Sequence, residues 1–447
     1  MTTALKTTGT DRYLAEFEAI SGSAPSAQPE RIRRLRQEAI DRFEELGFPT
    51  VRQEEWRFTN VAPIARTSYS LNPQANGFDP DGLARYRYPD CVQLVVNNGH
   101  LVTSMSDLSG LPAGVTVCSL SEALSRLPEV VDTHLGRYAK FGDHPFVALN
   151  TALHRDGVFV HVPKGVVVEL PINIVLTGTP FGDDPHAFFP RNLFVAEENS
   201  QVTVVEQFIS TAEGSYLTSP VTEIVVEDNA VVDHYKLQRE SVEAAHLATF
   251  QIHLGRSANF SSHSISWGGG LVRNDVNAVL DGEGSVATLN GLYMVEGSQL
   301  IDNHMRVDHV AAHCDSHELY KGILDERSRS VFNGRIYVHK GAQKTDAKQT
   351  NRNLLLSHDA LCNSNPQLEI FADDVKCTHG STIGQLDELA IFYLRSRGIG
   401  EEAARSLLTY AFAADVVERI KVTQVRNDLE EFLFRRLPKG DIVRQAV

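Results

Sequence analysis

A cysteine and a histidine stand two residues apart in the triplet Cys377-Thr378-His379. Residues that alternate along a strand point to the same side, with Cα atoms roughly 6.5 to 7 Å apart. A thiolate and an imidazole placed in this way can face one iron or zinc ion, or the edge of a cluster. A closed tetrahedral site needs four protein ligands and a catalytic zinc site usually has three. The pair therefore predicts an incomplete site whose other ligands come from elsewhere, including another chain.

A structural role is the alternative for the same pair. In that interpretation Cys377 is a small buried side chain, and His379 caps the helix that follows. For an arbitrary Cys-x-His sequence this is the more frequent outcome, so the spacing alone leaves both interpretations open.

The pair lies where a predicted sheet gives way to a helix. Apolar residues alternate with period two over residues 368–379, which is typical of strands. From Ile383 onward they recur at helical spacing, and Gly398 is expected to end that helix.

Short β-branched runs recur over residues 146–377, separated by Gly, Asn, Asp and Ser. A loose echo places Val202, Val231, Phe260 and Val286 after similar turns, at nearly equal intervals. A polar turn followed by an inward apolar residue, repeated in this way, favours a parallel sheet coiled into a β-helix. An antiparallel sandwich is the competing architecture.

Both ends of the chain have helical patterns. An apolar stripe over residues 32–46 is closed by Gly47, and residues 121–138 predict another helix. The sequence NNGH between them predicts a strand pair. The predicted fold is mainly β with helical ends, in three domains: a mostly helical N-terminal cap at 1–140, a β-helix core at 146–380 and a C-terminal helical domain at 381–447.

Composition excludes some classes of function. The 42 basic residues against 57 acidic ones give a net charge of −15, which argues against nucleic-acid binding. Five scattered cysteines without a C-x-x-C pair favour free thiols in a reducing compartment. Because no long apolar segment and no signal-peptide pattern is found, the sequence predicts a soluble, cytoplasmic protein without membrane contact. A plastid location is the alternative if a transit peptide has been removed.

A dense histidine set is a second candidate metal site. His304, His309, His313 and His317 are close in sequence, and the last two have helical zinc spacing. The β-rich sequence that follows favours a turn leading into a strand, which would send the side chains apart. Hydrogen-bonded polar positions are therefore the preferred interpretation. Trp56, which charged residues flank, is expected to be packed rather than to stack on a ligand.

An autonomous enzyme is poorly supported. The sequence lacks the P-loop pattern G-x-x-x-x-G-K-[ST], as well as G-x-S-x-G and H-E-x-x-H. A β-helix enzyme acting on polysaccharide would need carboxylates such as Asp373 and Asp374, with Lys376, but no second carboxylate pair stands at a matching position. A homodimeric solenoid with a purely structural role is the third hypothesis.

Several sequence blocks together resemble one family. The blocks are PQLEIFADDVKCTHGSTIGQLD (366–387), FYLRSRGI (392–399), VFNGRIYVHKGAQKTDAKQTNRNLLLS (331–357), ELYKGIL (318–324), GEGSVATLNGLY (282–293) and QEEWRFTNV (53–61). In these blocks the chain resembles the SufB/SufD family of iron–sulfur cluster assembly proteins, and within it the SufD type.

The resemblance implies a right-handed parallel β-helix core and a scaffold subunit that is not itself an enzyme. Such a subunit pairs with a SufB-like paralogue through the β-helix ends and docks SufC-like ABC ATPases through its C-terminal helices. Cys377 and His379 would be interfacial ligands, with the partner chain, of iron or a transient iron–sulfur cluster that the chain alone does not bind stably. Sulfur would come indirectly from a cysteine desulfurase, and a homodimer is possible without the partners.

Overall fold

The computed structural model describes residues 2–23, 29–71, 79–178 and 185–446. Helices lie toward both ends of the chain and strands fill its centre. The helices of the described residues are α1 (Thr2–Ser23), α2 (Glu30–Leu46), α3 (Ala62–Arg66), α4 (Pro80–Ala84), α5 (Leu120–Arg126), α6 (Pro128–His134), α7 (Pro145–Leu153), α8 (Glu388–Ser396), α9 (Glu401–Val417), α10 (Thr423–Arg436) and α11 (Gly440–Ala446).

From Val221 onward, successive strands alternate along the chain between two sheets. The strands of the described residues are β1 (Val92–Asn97), β2 (His100–Leu101), β3 (Thr116–Ser119), β4 (Val158–Val162), β5 (Ile172–Gly178), β6 (His186–Phe188), β7 (Arg191–Ala196), β8 (Gln201–Ser210), β9 (Tyr216–Thr218), β10 (Val221–Val226), β11 (Val231–Arg239), β12 (Ala245–Leu254), β13 (Asn259–Ser266), β14 (Leu271–Leu280), β15 (Val286–Val295), β16 (Leu300–His309), β17 (Asp315–Leu324), β18 (Arg329–Val338), β19 (Asp346–Leu355), β20 (Leu361–Ile370) and β21 (Lys376–Gly384).

The two sheets form a parallel β-solenoid. One has the order β2-β1-β5-β8-β11-β13-β15-β17-β19-β21, and the main path of the other is β20-β18-β16-β14-β12-β10-β7-β4-β3. Neighbouring strands pair in parallel from β5 to β21 and from β4 to β20. Each coil therefore adds one strand to each sheet, which confirms the predicted solenoid; the antiparallel sandwich is wrong.

The apolar lumen between the sheets is built from alternate strand residues. Phe260 pairs with Val232 on one side and with Ala287 on the other, and all three are buried. The sequence echo had instead selected Val231 and Val286, which are half-buried and point the opposite way. The predicted inward positions were therefore wrong by one residue at these two strands, because a one-residue change in a turn exchanges the two faces of a strand.

The N-terminal part combines helices with strands that join the solenoid. Helix α2 is confirmed, and Gly47 follows it with a φ of 62°. The single helix predicted over residues 121–138 is wrong, since α5 ends before Leu127 and α6 begins at Pro128. Proline has no N–H to continue the ladder of α5 but suits the first turn of a new helix. The predicted strand pair is confirmed as β1 and β2, and β1 also pairs in parallel with β5.

The C-terminal helices pack on the outer face of the ten-stranded sheet. The rings of Trp267 and Phe432 stack with centroids 4.0 Å apart and an interplanar angle of 8°. Lys321 Nζ lies 2.8 Å from Asp415 Oδ2 and donates to the carbonyl oxygen of Phe412 at 3.0 Å. These contacts hold α9 and α10 against β13 and β17.

Helix α8 begins later than the sequence pattern predicts. Ile383 is still part of β21, where it pairs with Asn353. The helix starts after Asp387, whose side chain accepts a hydrogen bond from the backbone N–H of Leu389 at 2.9 Å. Gly398, with a φ of 87°, follows the last helical turn as predicted.

Candidate functional site

The last coil of the solenoid carries the predicted site. β20 and β21 are the terminal strands of the two sheets, and each pairs on one side within the described residues. Most side chains on these strands are exposed or half-buried, whereas the preceding strands are largely buried. This end of the solenoid is therefore an open edge.

Cys377 and His379 point to the same side of this edge, as predicted. Cys377 pairs with Ala347, and His379 pairs with Gln349, in the parallel ladder of β19 and β21. Partners in a parallel ladder share a face, and both Ala347 and Gln349 are buried in the lumen. Both predicted site residues thus belong to the inward row of the last coil.

A hydrogen bond across the lumen agrees with this direction. The hydroxyl of Ser381, which follows His379 in the same row, donates to Ser364 Oγ on β20 at 2.8 Å. His379 does not cap the following helix, since Asp387 has that role. The capping interpretation of His379 is therefore wrong.

The Cys377 thiol is half-buried and packs in a small apolar cluster at the end of the lumen. The cluster includes Ile336, Ala347 and Leu368. Burial raises the pKa of this thiol, and the nearby carboxylate of Asp346 raises it further. The thiol is thus protonated near neutral pH, so binding a metal as thiolate requires that a cation displace the proton.

A buried polar pair lies directly behind His379. Gln349 Nε2 donates to Glu318 Oε2 at 2.9 Å, and the two side chains are 1% and 3% exposed. Burial raises the pKa of Glu318 to about 7, although the hydrogen bond from Gln349 opposes this. The sequence patterns did not single out either residue as part of the site, although the period-two alternation of their strands could have placed both inward.

The other cysteines do not join Cys377. Cys362 is half-buried on β20, where it pairs with Ser330, and Cys314 is buried with its thiol donating to the carbonyl oxygen of Gly282 at 3.3 Å. Cys91 and Cys118 belong to the N-terminal part. Within the described part of the chain, no group of three or more His, Cys, Asp or Glu side chains is placed to hold a metal ion.

The histidine set is dispersed, as the turn-and-strand interpretation predicted. His313 lies in a turn with a φ of 59°, and His317 is on β17, so the two do not share a helix face. His309 is buried and its Nε2 is 2.9 Å from Ser316 Oγ. His304 Nε2 lies 3.0 Å from Asp302 Oδ1. His304 and His309 are therefore polar residues of the solenoid that contact neighbouring polar side chains.

Trp56 is packed, as expected. Its side chain is 5% exposed, and the guanidinium of Arg273 lies over its ring at 3.8 Å. The neighbouring Glu55 binds His304 Nδ1 at 3.1 Å. This cluster joins the N-terminal segment to β14 and β16.

The residues considered for a polysaccharide-cleaving site lie in the turn between β20 and β21 or directly after it. Asp373 and Asp374 are exposed, and Asp374 forms an ion pair with Lys344. Lys376, the first residue of β21, is also exposed. A charged turn of this kind is a solvated connection between coils.

The fold is a parallel solenoid whose open last coil carries a thiol and an imidazole. A protein of this class presents its reactive groups at an edge that a second protein can cover. Comparisons with known proteins identify the family. A family described as "SUF system FeS cluster assembly, SufBD core domain" matches residues 179–412, and "SufBD protein N-terminal region" matches residues 7–174.

Three relatives illustrate the similarity. An iron–sulfur cluster assembly SufBD family protein of Synechocystis is 32% identical over 94% of this chain and 93% of its own length. The iron–sulfur cluster assembly protein SufD of Escherichia coli is 31% identical over 90% of this chain and 93% of its own. Protein ABCI7, chloroplastic, of Arabidopsis thaliana is 31% identical over 92% and 86%. The chain belongs to the SufB/SufD family of iron–sulfur cluster assembly proteins.

No helix of the described residues combines the length and the hydrophobicity that a membrane span needs.

Proposed function

We propose that the chain is a non-ATPase scaffold subunit of a cytoplasmic SUF-type complex, in which nascent iron–sulfur clusters are built at its open solenoid end. The observation that carries the proposal is the placement of Cys377 and His379 on one face of the terminal strand. Two ligands leave a site incomplete, and a second chain on the same edge can supply the others. The cluster is the cargo of this interface.

The partner at this edge is proposed to be a SufB-like paralogue. Strand edges offer backbone N–H and C=O groups to a strand of another chain. Large apolar side chains surround the edge: Leu361 is 52% exposed, Ile370 40%, Phe371 56% and Ile383 48%. Apolar surface beside an open ladder favours a stable protein partner over solvent. A homodimer through the same edge is the form expected in the absence of the paralogue.

The C-terminal helices are proposed to dock a SufC-like ABC ATPase. On α8, Leu389 is 77% exposed, Phe392 69% and Tyr393 54%. This helix follows β21 after a short connection. Movement of an ATPase bound there would therefore reach Cys377 through a short stretch of chain. ATP-driven movement of two such ATPases would open the scaffold interface and release the cluster.

The thiol chemistry supports assembly at an interface over storage on one chain. Since burial raises the pKa of Cys377, ligation requires iron to displace the thiol proton. An exposed imidazole adds one further ligand, and the isolated chain then holds iron weakly. Inorganic sulfur is proposed to arrive from a cysteine desulfurase through the paralogue.

An anaerobic affinity purification tests this function. The tagged chain is recovered from its native lysate, and the complex is analysed by mass spectrometry and for iron and acid-labile sulfide. We expect an ABC ATPase and a paralogue, with iron that is lost in the Cys377→Ala/His379→Ala variant. A Cys91→Ala/His100→Ala variant, which removes one thiol and one imidazole near the opposite end of the ten-stranded sheet, is the matched control and should keep its iron.

Two results would contradict the proposal. If the chain is recovered alone and without metal, the proposed partner-dependent function is wrong. Iron and sulfide that survive in the Cys377→Ala/His379→Ala complex would place the cluster chemistry elsewhere.

A further inference from the structure

A buried amide oxygen next to His379 has no donor. Gln349 Nε2 donates to Glu318, but Gln349 Oε1 has no hydrogen-bond partner within the described residues although the side chain is 1% exposed. Leaving a buried acceptor unsatisfied costs about 1 to 3 kcal/mol. Such a group in a well-packed lumen calls for a functional explanation.

The lumen is shaped to hold this amide in one orientation. Glu318 Oε2 accepts from Gln349 Nε2, and this bond keeps the NH₂ end of Gln349 turned toward β17. The carbonyl oxygen of Gln349 is then free to accept a hydrogen bond from the neighbouring coil, which carries β21. On the opposite sheet Gly334 faces the amide, and a Cβ at that position would overlap the Gln349 side chain.

On the neighbouring coil the residue at the ladder position of Gln349 is His379, whose side chain is exposed. His379 is the Cα partner of Gln349 on β21 and belongs to the same inward row. Adjacent strands lie roughly 4.8 Å apart, which brings the imidazole within reach of the amide. Histidines that bind metals almost always donate their other ring N–H to a carboxylate, a backbone carbonyl or water, and loss of that partner typically weakens metal binding about 10- to 100-fold. An amide oxygen accepts a hydrogen bond in the same way as a backbone carbonyl.

We propose that Gln349 is a positioning residue for His379, whose imidazole N–H donates to Gln349 Oε1 while the other ring nitrogen binds iron at the scaffold interface. The proposal rests on the proposed function, because it requires His379 to be a ligand. Gln349 fixes the tautomer and the ring orientation, and Glu318 fixes Gln349. The ligand nitrogen thus points out of the lumen toward the partner chain.

Iron binding by the anaerobically purified complex tests the positioning role. Ferrous iron is titrated into complexes that contain the wild-type chain, Gln349→Met or Glu318→Gln. Gln349→Met keeps the volume but removes the acceptor, so we expect a Kd for iron that is 10- to 100-fold higher. Glu318→Gln adds an NH₂ group that can donate to Gln349 Oε1 and turn the amide over, so its Kd should also rise, by less than that of Gln349→Met. Gln251→Met, on β12 and away from the open edge, is the matched glutamine control and should bind as wild type.

A second measurement needs no variant of Gln349. The full-length chain is labelled with ¹⁵N-histidine, and the His379 signals are assigned by their loss in His379→Ala. We expect the neutral imidazole to adopt one tautomer, because a single acceptor fixes the proton on one nitrogen. A mixture of tautomers would overturn the inference even if Gln349→Met does not fold.

The outcomes separate the two proposals. Iron binding that persists in Cys377→Ala/His379→Ala removes the proposed function itself. Iron binding that is lost there but unchanged in Gln349→Met overturns only the positioning role.

Discussion

Lys236 is an amine buried in the lumen of the solenoid, 1% exposed. Its Nζ lies 5.5 Å and 5.1 Å from the ring centroids of Phe208 and Phe250, and donates to Asn274 Oδ1. Placing an ammonium in such surroundings is costly, because aromatic rings and one amide replace its hydration shell only in part.

Burial lowers the pKa of Lys236 to about 7, although the carboxylates of Glu240 and Glu206 oppose this. In the unfolded chain the ordinary value is 10.5. Between these two values the unfolded state binds more protons than the folded state, so stability rises with pH. The full difference corresponds to about 5 kcal/mol, of which about 3 kcal/mol is gained between pH ~6 and ~9.

Replacement of Lys236 by methionine isolates this contribution. Lys236→Met has a similar volume and no charge, so at pH ~6 the variant should be the more stable protein by about 2 to 4 kcal/mol, after loss of one hydrogen bond. This advantage should shrink by about 3 kcal/mol toward pH ~9, where the wild-type amine is neutral in the folded state. Urea unfolding midpoints of both proteins across this pH range give the difference directly.

The difference between the two proteins must depend on pH if Lys236 is buried as described. A stability difference that stays constant with pH, or a variant less stable than wild type at pH ~6, would show that burial of the Lys236 ammonium does not destabilise the folded protein. Lys340→Met removes an exposed lysine from the turn after β18 and serves as the control. Its stability difference should stay within about 0.5 kcal/mol at every pH.

Two further perturbations test contacts between the parts of the chain. Asp415→Asn removes the charge that pairs with Lys321, which is 5% exposed, and should weaken the docking of α9 by about 1 to 3 kcal/mol. Faster proteolysis of the C-terminal helices, with Asp359→Asn unchanged, would confirm this, and equal rates would contradict it. For His304, burial alone would lower the pKa, but Asp302 raises it to about 9. The stabilisation by this imidazolium is therefore complete below pH 6.5 and lost as the pH rises through about 9. The loss of unfolding free energy in His304→Leu, measured in urea, should diminish over that window. A loss that stays constant with pH would exclude the charge as its cause.

The pairing of Cys377 and His379 on one face could be predicted from sequence, because the alternation of a strand depends only on neighbouring residues. The same holds for helix α2, whose apolar residues recur at helical spacing and whose last turn is followed directly by Gly47. Local signals of this kind need no knowledge of the rest of the fold.

Contacts between coils could not be predicted in this way. The inward residues at β11 and β15 are Val232 and Ala287, one position beyond those that the sequence echo selected. Turn length sets this register, and turns in the chain vary in composition and length. The Glu318–Gln349 bond joins residues 31 positions apart, so it becomes visible only when the register is known.

The two ends of the solenoid differ in a way that controls the size of an assembly. At the N-terminal end the sheets finish with β2 and β3, which pair antiparallel to β1 and β4, whereas the other end finishes with the parallel strands β20 and β21. In the language of polymer chemistry, a unit with two reactive ends grows into a fibre, whereas a unit with one reactive end is a chain stopper. Among the described residues the strands of the first end, β2 and β3, have only two and four residues, whereas β20 and β21 have ten and nine. The long open edge thus lies at one end, so pairing through β20 and β21 would stop at two subunits.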